Sequence, residues 1–365
     1  MTRKLYIRPI ALAESPQSEE GESIRLGGAM VWASRFAVIE REDGRVVRRE
    51  RYGVRDLEAA LPSLGAEAQA QWANFRKTHA PLQCGARTIR LDQPQVMGIL
   101  NMTPDSFSDG GQFLDDPEVA AGHASAMLEA GAALIDVGGE STRPGAPAVW
   151  EGDELKRVVP MVERLAAMGA AISVDTRRPA VMEATLAAGA HVINDVSALR
   201  HDPRSLSLAA SSGAPVVLMH APGDGQDLHA DGNYRDVVLD VFDWLADRRD
   251  AAIAAGVSPD KIVLDPGIGF GKTVADNLAL MNALPLFHAL GCPLLVGASR
   301  KRMIGALSNE SPAHQRLGGS LALALKALEA GAHLLRVHDV AETVQAVRVW
   351  RGLRDAALTD FSQLA

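Results

Sequence analysis

Apolar and polar residues alternate in blocks along most of this chain. Apolar runs of about three to five residues end in a polar residue, as residues 96–100 do before Asn101. A longer segment with helical periodicity follows each run. A short apolar run bounded by turn residues is typical of a buried strand, so the pattern predicts strands and helices in alternation.

The alternation occurs eight times. Helices close on glycines such as Gly131 and Gly189, which tolerate the left-handed conformation that follows a helix end. Eight strand–helix units predict an α/β fold, a (β/α)₈ TIM barrel, while a doubly wound open sheet remains an alternative because periodicity does not establish closure. The predicted strands are 96–100, 133–137, 171–174, 191–193, 215–219, 261–264, 293–296 and 333–337, and the predicted helices are 117–130, 151–168, 179–188, 203–212, 234–255, 276–290, 312–330 and 340–353.

Residues 1–84 have a different pattern and predict a small α+β accessory module before a barrel of residues 85–365. A hairpin is expected over 36–50, with its turn at Asp43-Gly44, and a helix over 55–76, broken near Pro62 and Gly65. The arginines at 45, 48, 49 and 51 form either a basic patch or a solvated strand face, and interleaved acidic residues favour the second. The pattern does not indicate the module's role, and the barrel is expected to fold without it.

Composition narrows the class of protein. Of 365 residues, 47% are apolar, which is enough for a large core, but only 4% are aromatic and the net charge is −8. These values argue against nucleic acid and anionic membranes as partners. Two cysteines, no run of about 18 apolar residues and no signal-peptide pattern favour a cytoplasmic protein.

Polar residues follow the predicted strands at one end only. In a barrel these positions lie at the catalytic mouth. Asp175, Asn194 and Asp265 are suited to accept hydrogen bonds from a flat, amino-rich heterocycle. Arg143, Lys301, Arg336 and His338 form a cationic set suited to phosphate or carboxylate. The full group is Asn101, Asp136, Glu140, Asp175, Asn194, Asp195, His220, Asp265, Ser299, Arg300, Lys301, Arg336, His338 and Asp339, of which Asp195 and Asp339 are the expected caps.

Two further patterns concern nucleotides and metals. The segment GIGFGKT resembles a phosphate-binding P-loop, but Pro266 occupies the position of its first glycine, so a triphosphate loop is not expected and Lys272 is interpreted as structural. The ten histidines show no close metal-binding spacing. An oxygen-coordinated Mg²⁺, held by Asn101 and by phosphates of the substrate, is the metal that the sequence favours.

Seven segments at the predicted strand ends resemble dihydropteroate synthase, in order, over about residues 85–355: VMGILNMTPDSFSDGG, LIDVGGESTRPGA, SVDT, VINDVSA, VLDPGIGFGK, GASRK and RVHDV. The resemblance implies the same barrel. It also implies condensation of 6-hydroxymethyl-7,8-dihydropterin diphosphate with p-aminobenzoate, which yields 7,8-dihydropteroate and pyrophosphate in folate synthesis. The sequence MHAPG after the fifth strand departs from the family's Met-Gln-Gly type of ending.

The resemblance also implies residue roles, with Asn101, Asp175, Asp265 and Lys301 as the catalytic set. The loops 101–116 and 139–151 would order over the diphosphate, and a homodimer would form through the last helices. Pterin would bind Asp175, Asn194, Asp265 and Lys301, with Asp136 deeper and Met219 against the ring; Arg336, His338, Asn101 and Mg²⁺ would bind the diphosphate; Phe107, Thr142, Arg143, Pro144, Phe270, Ser299 and Lys301 would shape the p-aminobenzoate site.

Two other functions remain as alternatives. A methyltetrahydrofolate-dependent methyltransferase is disfavoured because the STRPG and SRK segments serve diphosphate and p-aminobenzoate in the resembled family. A non-catalytic pterin-binding homologue would be expected to have lost the diphosphate set, yet Asn101, Arg143, Lys301, Arg336 and His338 are all present.

Overall fold

The computed structural model describes residues 3–13, 22–103, 117–143, 145–223 and 225–358. The chain begins with the small module. The hairpin is confirmed, whereas the first strand was not predicted, and the predicted helix divides at Gly65 and keeps Pro62 inside its first half. The elements are β1 (Arg3–Ala13), β2 (Ile24–Arg25), β3 (Trp32–Glu42), β4 (Arg45–Gly53), α1 (Val54–Leu64), α2 (Ala66–Phe75), β5 (Leu82–Cys84) and β6 (Arg87–Ile89).

Eight parallel strands with intervening helices follow. The predicted strands and helices all occur, with ends shifted by a few residues, and one short helix, α9, was not predicted. The elements are β7 (Gln95–Asn101), α3 (Pro117–Ala130), β8 (Leu134–Gly138), α4 (Glu151–Ala167), β9 (Ile172–Asp175), α5 (Pro179–Ala187), β10 (Val192–Asp195), α6 (Ser205–Ser212), β11 (Val216–Met219), α7 (Val237–Ala254), β12 (Ile262–Asp265), α8 (Val274–Ala283), a 3₁₀ helix (Leu284–Leu290), β13 (Leu295–Val296), α9 (Arg302–Leu307), α10 (Leu317–Glu329), β14 (Leu334–Val337) and α11 (Val340–Leu358).

The sheet closes into a barrel. Its hydrogen-bonded order runs from β12 down to β7 and then through β14 to β13. A parallel bridge between Leu264 and Leu294 joins the two outermost strands, and the Leu264 amide donates to the Pro293 carbonyl at 2.9 Å. The open-sheet alternative is therefore wrong, because no free edge separates β12 from β13.

The barrel interior contains one apolar layer with a contribution from every strand. The members are Met97, Leu134, Ala171, Val192, Val217, Val263, Leu295 and Leu334. Four residues around the β5–β6 hairpin, Leu82, Cys84, Ile89 and Leu91, pack against this layer. The hairpin thus covers the amino-terminal end of the strands, and the opposite end is left for ligands.

The module packs on the outside of the barrel and shares its larger core. The Tyr6 hydroxyl donates to the Asp243 carboxylate of α7 at 3.0 Å, and its ring meets Phe242 edge-on at 5.5 Å. Asn74 donates to the Ala289 carbonyl at 2.8 Å. Leu5, Phe36 and Trp72 belong to the same buried cluster as the barrel helices. Because this interface removes apolar barrel surface from water, the expectation that residues 85–365 fold alone needs revision.

Candidate active site

The polar residues at the mouth are brought together by the two-residue alternation of side chains along each strand. Side chains two residues apart on a strand point to the same face, so the residues two positions after the apolar layer also face the barrel interior. These positions hold Asp136, Asn194, Met219, Asp265 and Arg336. One further step on two strands reaches Asp175 and His338. The polar strand ends singled out by sequence therefore do converge.

Arg336 organises the base of the mouth. Its Nε donates to Asp136 Oδ2 at 2.6 Å, and its Nη2 donates to Asp175 Oδ2 at 2.8 Å. Asn194 Nδ2 donates to the same Asp136 oxygen at 3.0 Å. The guanidinium thus lies among the carboxylates assigned to the heterocycle and not with the other cations at the lip, where sequence reasoning placed it. The attraction of two buried carboxylates accounts for this position.

Burial changes the protonation of this cluster. It raises the pKa of Asp175, against the opposing charge of Arg336, and the neighbouring Asp136 and Glu154 carboxylates raise it further. Asp136 Oδ1 and the hydroxyl of Ser173, its neighbour across the sheet, are buried without a hydrogen-bond partner among the described residues. Unpartnered polar atoms are costly, so these two are suited to meet a polar ligand.

Asp265 lies beside a glycine-rich loop. Its Oδ1 accepts a hydrogen bond from the Gly267 amide at 2.7 Å, and burial raises its pKa to about 6. Gly267 has φ +69°, and a side-chain carbon there would lie 1.9 Å from the His220 carbonyl oxygen. Only glycine fits this position.

Lys272 has the structural role that the sequence predicts. Its ammonium donates to the carbonyls of Gly267 and Phe270 at 2.8 and 3.0 Å and lies 2.8 Å from His220 Nδ1. Burial lowers its pKa to about 7. The lysine therefore ties the glycine-rich loop to the end of β11 and is not directed at a nucleotide.

Lys301 and Phe270 form one wall of the mouth. The Lys301 ammonium lies 4.2 Å from the centre of the Phe270 ring, and burial lowers its pKa to about 8. The other partner of the ring is His229, stacked at 5.2 Å, whose Nε2 lies 2.7 Å from the Thr142 carbonyl. Sequence reasoning assigned no site role to His229, but this residue links the loop of Thr142 to the wall.

The lip pairs Ser299 with His338. Ser299 Oγ accepts from the His338 amide at 3.2 Å and lies 3.0 Å from its Nδ1. Burial holds the pKa of His338 well below its usual value, and the positive charges of Arg300, Arg336, Lys301 and Arg143 act in the same direction. His338 therefore lies at the mouth, where its lowered pKa favours the neutral imidazole over the cation that the sequence suggested.

Three of the polar strand-end residues serve the scaffold. Glu140 is ion-paired with Arg177 and Arg178 at 3.0 and 2.9 Å. Asp195 accepts hydrogen bonds from the amides of Ser197 and Leu199 at 2.7 and 3.0 Å, so it stabilises the turn after β10 and is not the expected helix cap, since α6 begins only at Ser205. Asp339, the other expected cap, instead pairs with Arg300.

Arg177 and Arg178 were missed by sequence reasoning. Arg178 also donates to the Val149 carbonyl at 2.7 Å, and Arg177 donates to the Gln226 carbonyl at 3.0 Å. The pair therefore supports the bases of two mouth loops. The signal available in the sequence was a pair of adjacent arginines directly after the SVDT strand.

Asn101 is the only described residue proposed as a metal ligand. A side-chain carbon at Gly138 would lie 3.7 Å from Asn101 Oδ1 and 3.8 Å from Asp175 Oδ2, so the glycine leaves space between these oxygens. No group of three His, Cys, Asp or Glu side chains suited to a metal occurs within the described residues. The donor chemistry therefore fits Mg²⁺ only if phosphate oxygens supply most of its ligands. Phe107 and Pro144 lie outside the described residues.

Comparisons with known proteins agree with this geometry. The family model described as "Pterin binding enzyme" matches residues 97–338. A dihydropteroate synthase of Escherichia coli is 48% identical over 266 residues, which are 72% of this chain and 92% of that protein. A structure of the Xanthomonas albilineans dihydropteroate synthase with 4-aminobenzoic acid is 50% identical, with a TM-score of 0.71, over 76% of this chain and 99% of that one.

A third similar structure contains a bound pteroate. The Burkholderia cenocepacia dihydropteroate synthase complexed with 7,8-dihydropteroate is 43% identical, with a TM-score of 0.69, over 76% of this chain and 98% of that chain. The segment before residue 97 lies outside the family match. Within the described residues, no helix combines the length and apolar character needed to cross a membrane.

Proposed function

The chain belongs to the dihydropteroate synthase family of pterin-binding enzymes, and from that premise we propose that its barrel mouth joins 6-hydroxymethyl-7,8-dihydropterin diphosphate to p-aminobenzoate. In this reaction the bond between the pterin methylene carbon and the diphosphate oxygen breaks. A bond from the same carbon to the aniline nitrogen forms, the nitrogen releases one proton to water, and 7,8-dihydropteroate and pyrophosphate leave. The reaction is a step of folate synthesis.

The observation that carries the proposal is the buried polar cluster of Asp136, Asp175, Asn194 and Asp265. These side chains lie at two successive levels of the barrel interior, are all buried, and offer acceptors to the ring N–H and amino groups of a pterin. The partnerless oxygens of Asp136 and Ser173 would gain partners there. Met219 lies in an apolar cluster with Phe270 and is placed to pack against a flat ring.

The leaving diphosphate would meet the lip of the mouth. Lys301 is mostly protonated at neutral pH because its pKa is about 8, so it supplies positive charge to the phosphates. His338 is neutral without ligand, and the arrival of an anion would favour its protonated form. Arg336 keeps its charge close to both the pterin and the departing group. When bound at Asn101, Mg²⁺ would stabilise the negative charge on the leaving pyrophosphate.

The second substrate would bind between two loops. Thr142 and Arg143 lie on the loop after β8, and the former is tied through His229 to Phe270. Arg143 contributes positive charge near His338 and is suited to the p-aminobenzoate carboxylate. Ser299 and Lys301 complete this side of the mouth. The amine would then approach the methylene carbon from the side opposite the pterin cluster.

Pyrophosphate release by the purified protein tests the proposal. With Mg²⁺ and the pterin diphosphate, release is expected to depend on p-aminobenzoate and to match dihydropteroate formed. Tight pterin diphosphate binding without turnover would instead indicate a non-catalytic homologue. Titrating Mg²⁺ against Asn101→Ala and the parent protein tests the metal site, since loss of the ligand should raise the Mg²⁺ concentration needed for half-maximal rate.

A homodimer and a cytoplasmic location are also part of the proposal. Val349 and Leu353 lie one turn apart on α11 with 62% and 69% of their surface exposed, which suits an interface between two copies. Cys84 and Cys292 are both free and buried, as suits a reducing compartment. Sedimentation of the parent and of Val349→Arg tests the first statement, and an unchanged mass for both at the monomer value would contradict it.

A further inference from the structure

The accessory module carries a pocket that the barrel chemistry does not use. It lies on one face of the β1–β3–β4 sheet and has a volume of about 820 Å³. Small-molecule sites commonly fall in the range of roughly 300–1,000 Å³. Its apolar floor includes Ile10, Ala37 and Ile39. The cations of its wall are Arg8, Arg35, Arg49 and Arg51.

Strand register places these arginines on one face. Ala37 of β3 lies opposite Arg8 of β1 and opposite Arg51 of β4, while Ile39 lies opposite Arg49. Directly paired residues on neighbouring strands share a face. Arg48 pairs in register with Glu40 and therefore belongs to the other face. The arginine run that the sequence left ambiguous is thus divided between two different environments.

The remaining cations of the pocket face are matched by barrel carboxylates. Lys4 forms an ion pair with Asp243 at 3.0 Å, and Arg41 forms one with Asp240 at 2.5 Å. On the opposite face, Arg48 is paired with Glu40 and Glu50. By contrast, Arg35, Arg49 and Arg51 make no ion pair with any described carboxylate. Lys4, Arg41 and Arg48 are therefore neutralised by carboxylates, whereas the three pocket arginines are not neutralised by any described residue.

The pocket's own acidic residues do not neutralise it. Glu50 contributes to the lining, but strand register directs its side chain to the opposite face, where Arg48 and the Tyr52 hydroxyl engage it at 2.5 Å in both cases. Asp56 is the other carboxylate in the lining. Arg8 donates to the Asn282 carbonyl at 3.0 Å, and burial and the charge of Arg49 lower its pKa, with Asp236 opposing them. A bound anion would relieve this repulsion.

We propose that this pocket binds a small anion carrying several phosphoryl groups. Arginine is suited to this chemistry because its planar guanidinium donates two parallel hydrogen bonds to phosphate oxygens. The apolar floor leaves room for an organic part of the ligand. The site lies on the module, outside the residues matched by the family model, and is separate from the diphosphate site of the mouth.

Calorimetric titration of the full chain tests the proposal. The probes are inorganic tripolyphosphate and ATP, in Mg²⁺-free buffer at about 0.15 M salt, where exposed charges are largely screened. The pocket variant is Arg49→Ser with Arg51→Ser, and Arg35→Ser on the neighbouring strand is a second, independent change. The matched control, Arg45→Ser with Arg55→Ser, removes the same charge from exposed residues of the module that do not line the pocket.

The expected result is saturable binding of both probes, and the mouth variant His338→Ala should retain this binding. The pocket variants should weaken it at least tenfold, while the control variant should not. Equal affinity for the two probes assigns recognition to the phosphoryl groups alone, and tighter ATP binding adds a contribution from the nucleoside. Synthase turnover of the pocket variants should equal that of the parent, so this test is independent of the proposed reaction.

Two outcomes would overturn the proposal. One is the absence of any component that survives in His338→Ala. The other is an equal loss in the pocket and control variants, which would mean that the arginines act only as general surface charge.

Discussion

Lowering the pH from about 7.5 to about 5.5 should weaken the joint between the module and the barrel. Two buried histidines lie there. His333 Nε2 lies 2.9 Å from the Gly27 carbonyl and its Nδ1 accepts from the Leu294 amide at 2.9 Å. His288 lies 3.1 Å from the Ala330 carbonyl, and its Nδ1 has no partner among the described groups. Burial lowers their pKa values to about 3 for His288 and about 4 for His333.

The sign and size of the change in the free energy of unfolding follow from the difference in histidine pKa between the folded and unfolded states. Both histidines stay neutral in the fold at pH 5.5, whereas the unfolded chain takes up protons with a pKa of about 6.5. The contribution of these two histidines to the free energy of unfolding is therefore fully present above about pH 7. It falls as the pH drops through 6.5. Each histidine lowers the free energy of unfolding by about 1.4 kcal/mol at pH 5.5 and by almost nothing at pH 7.5. Between the two pH values the pair therefore lowers the free energy of unfolding by about 2.7 kcal/mol.

Urea unfolding of the parent and of His288→Phe, followed by circular dichroism at both pH values, measures this effect. Asp195 and Asp265, whose pKa values burial raises to about 6, act in the opposite direction, so the informative quantity is the difference between the two proteins. The variant should lose about 1.3 kcal/mol less than the parent between the two pH values. Exposed His314, changed to Phe, is the control and should leave the pH dependence unaltered. Identical pH dependence of parent and His288→Phe would refute the reasoning.

Four further changes test the mouth and the module. Arg143→Ala should weaken p-aminobenzoate use far more than pterin diphosphate binding, and equal losses in the two titrations would contradict the assigned roles. Asp265→Asn should weaken pterin binding by about 1–3 kcal/mol, the cost of a lost hydrogen bond to a buried group, and unchanged affinity by calorimetry would remove Asp265 from the pocket. Lys272→Met leaves two loop carbonyls without their donor and should cost about 1–3 kcal/mol in urea unfolding, with Lys326→Met, on the exposed face of α10, as the matched control. Deletion of residues 1–84 should give an aggregating barrel because it removes both the module and β5, which cover apolar barrel surface, and a monodisperse truncated chain in size-exclusion chromatography would show that these surfaces tolerate water.

Most of the barrel was predictable because its signals are local. Short apolar runs, helix-closing glycines and polar residues just after each run depend only on neighbours along the chain. They correctly predicted all eight barrel strands and the convergence of Asp136, Asp175, Asn194 and Asp265 at one end. The first strand of the module escaped prediction, since its paired residues on β3 lie 19 to 39 positions further along the chain and its own pattern is mixed.

The partners of individual charges were not predictable in the same way. Glu140 and Arg336 both lie at or near the carboxyl ends of predicted strands, so both were candidates for the mouth. In the fold, Glu140 pairs with two arginines, and Arg336 lies between two carboxylates. Such pairings join residues separated by about 40 to 200 positions in the chain. The hydrophobic periodicity of the chain does not predict which of several oppositely charged side chains will lie nearest in the fold.

By itself, therefore, the sequence determined the strands, the helices and the end of the barrel at which polar side chains gather, because these follow from alternation and turn chemistry within a few residues. Only the tertiary structure decided that His338 is neutral without ligand, that the module covers the barrel, and that the arginines of β4 divide between paired and unpaired faces. Those properties depend on burial and on distances between separate elements, and both come into existence only when the chain has closed on itself.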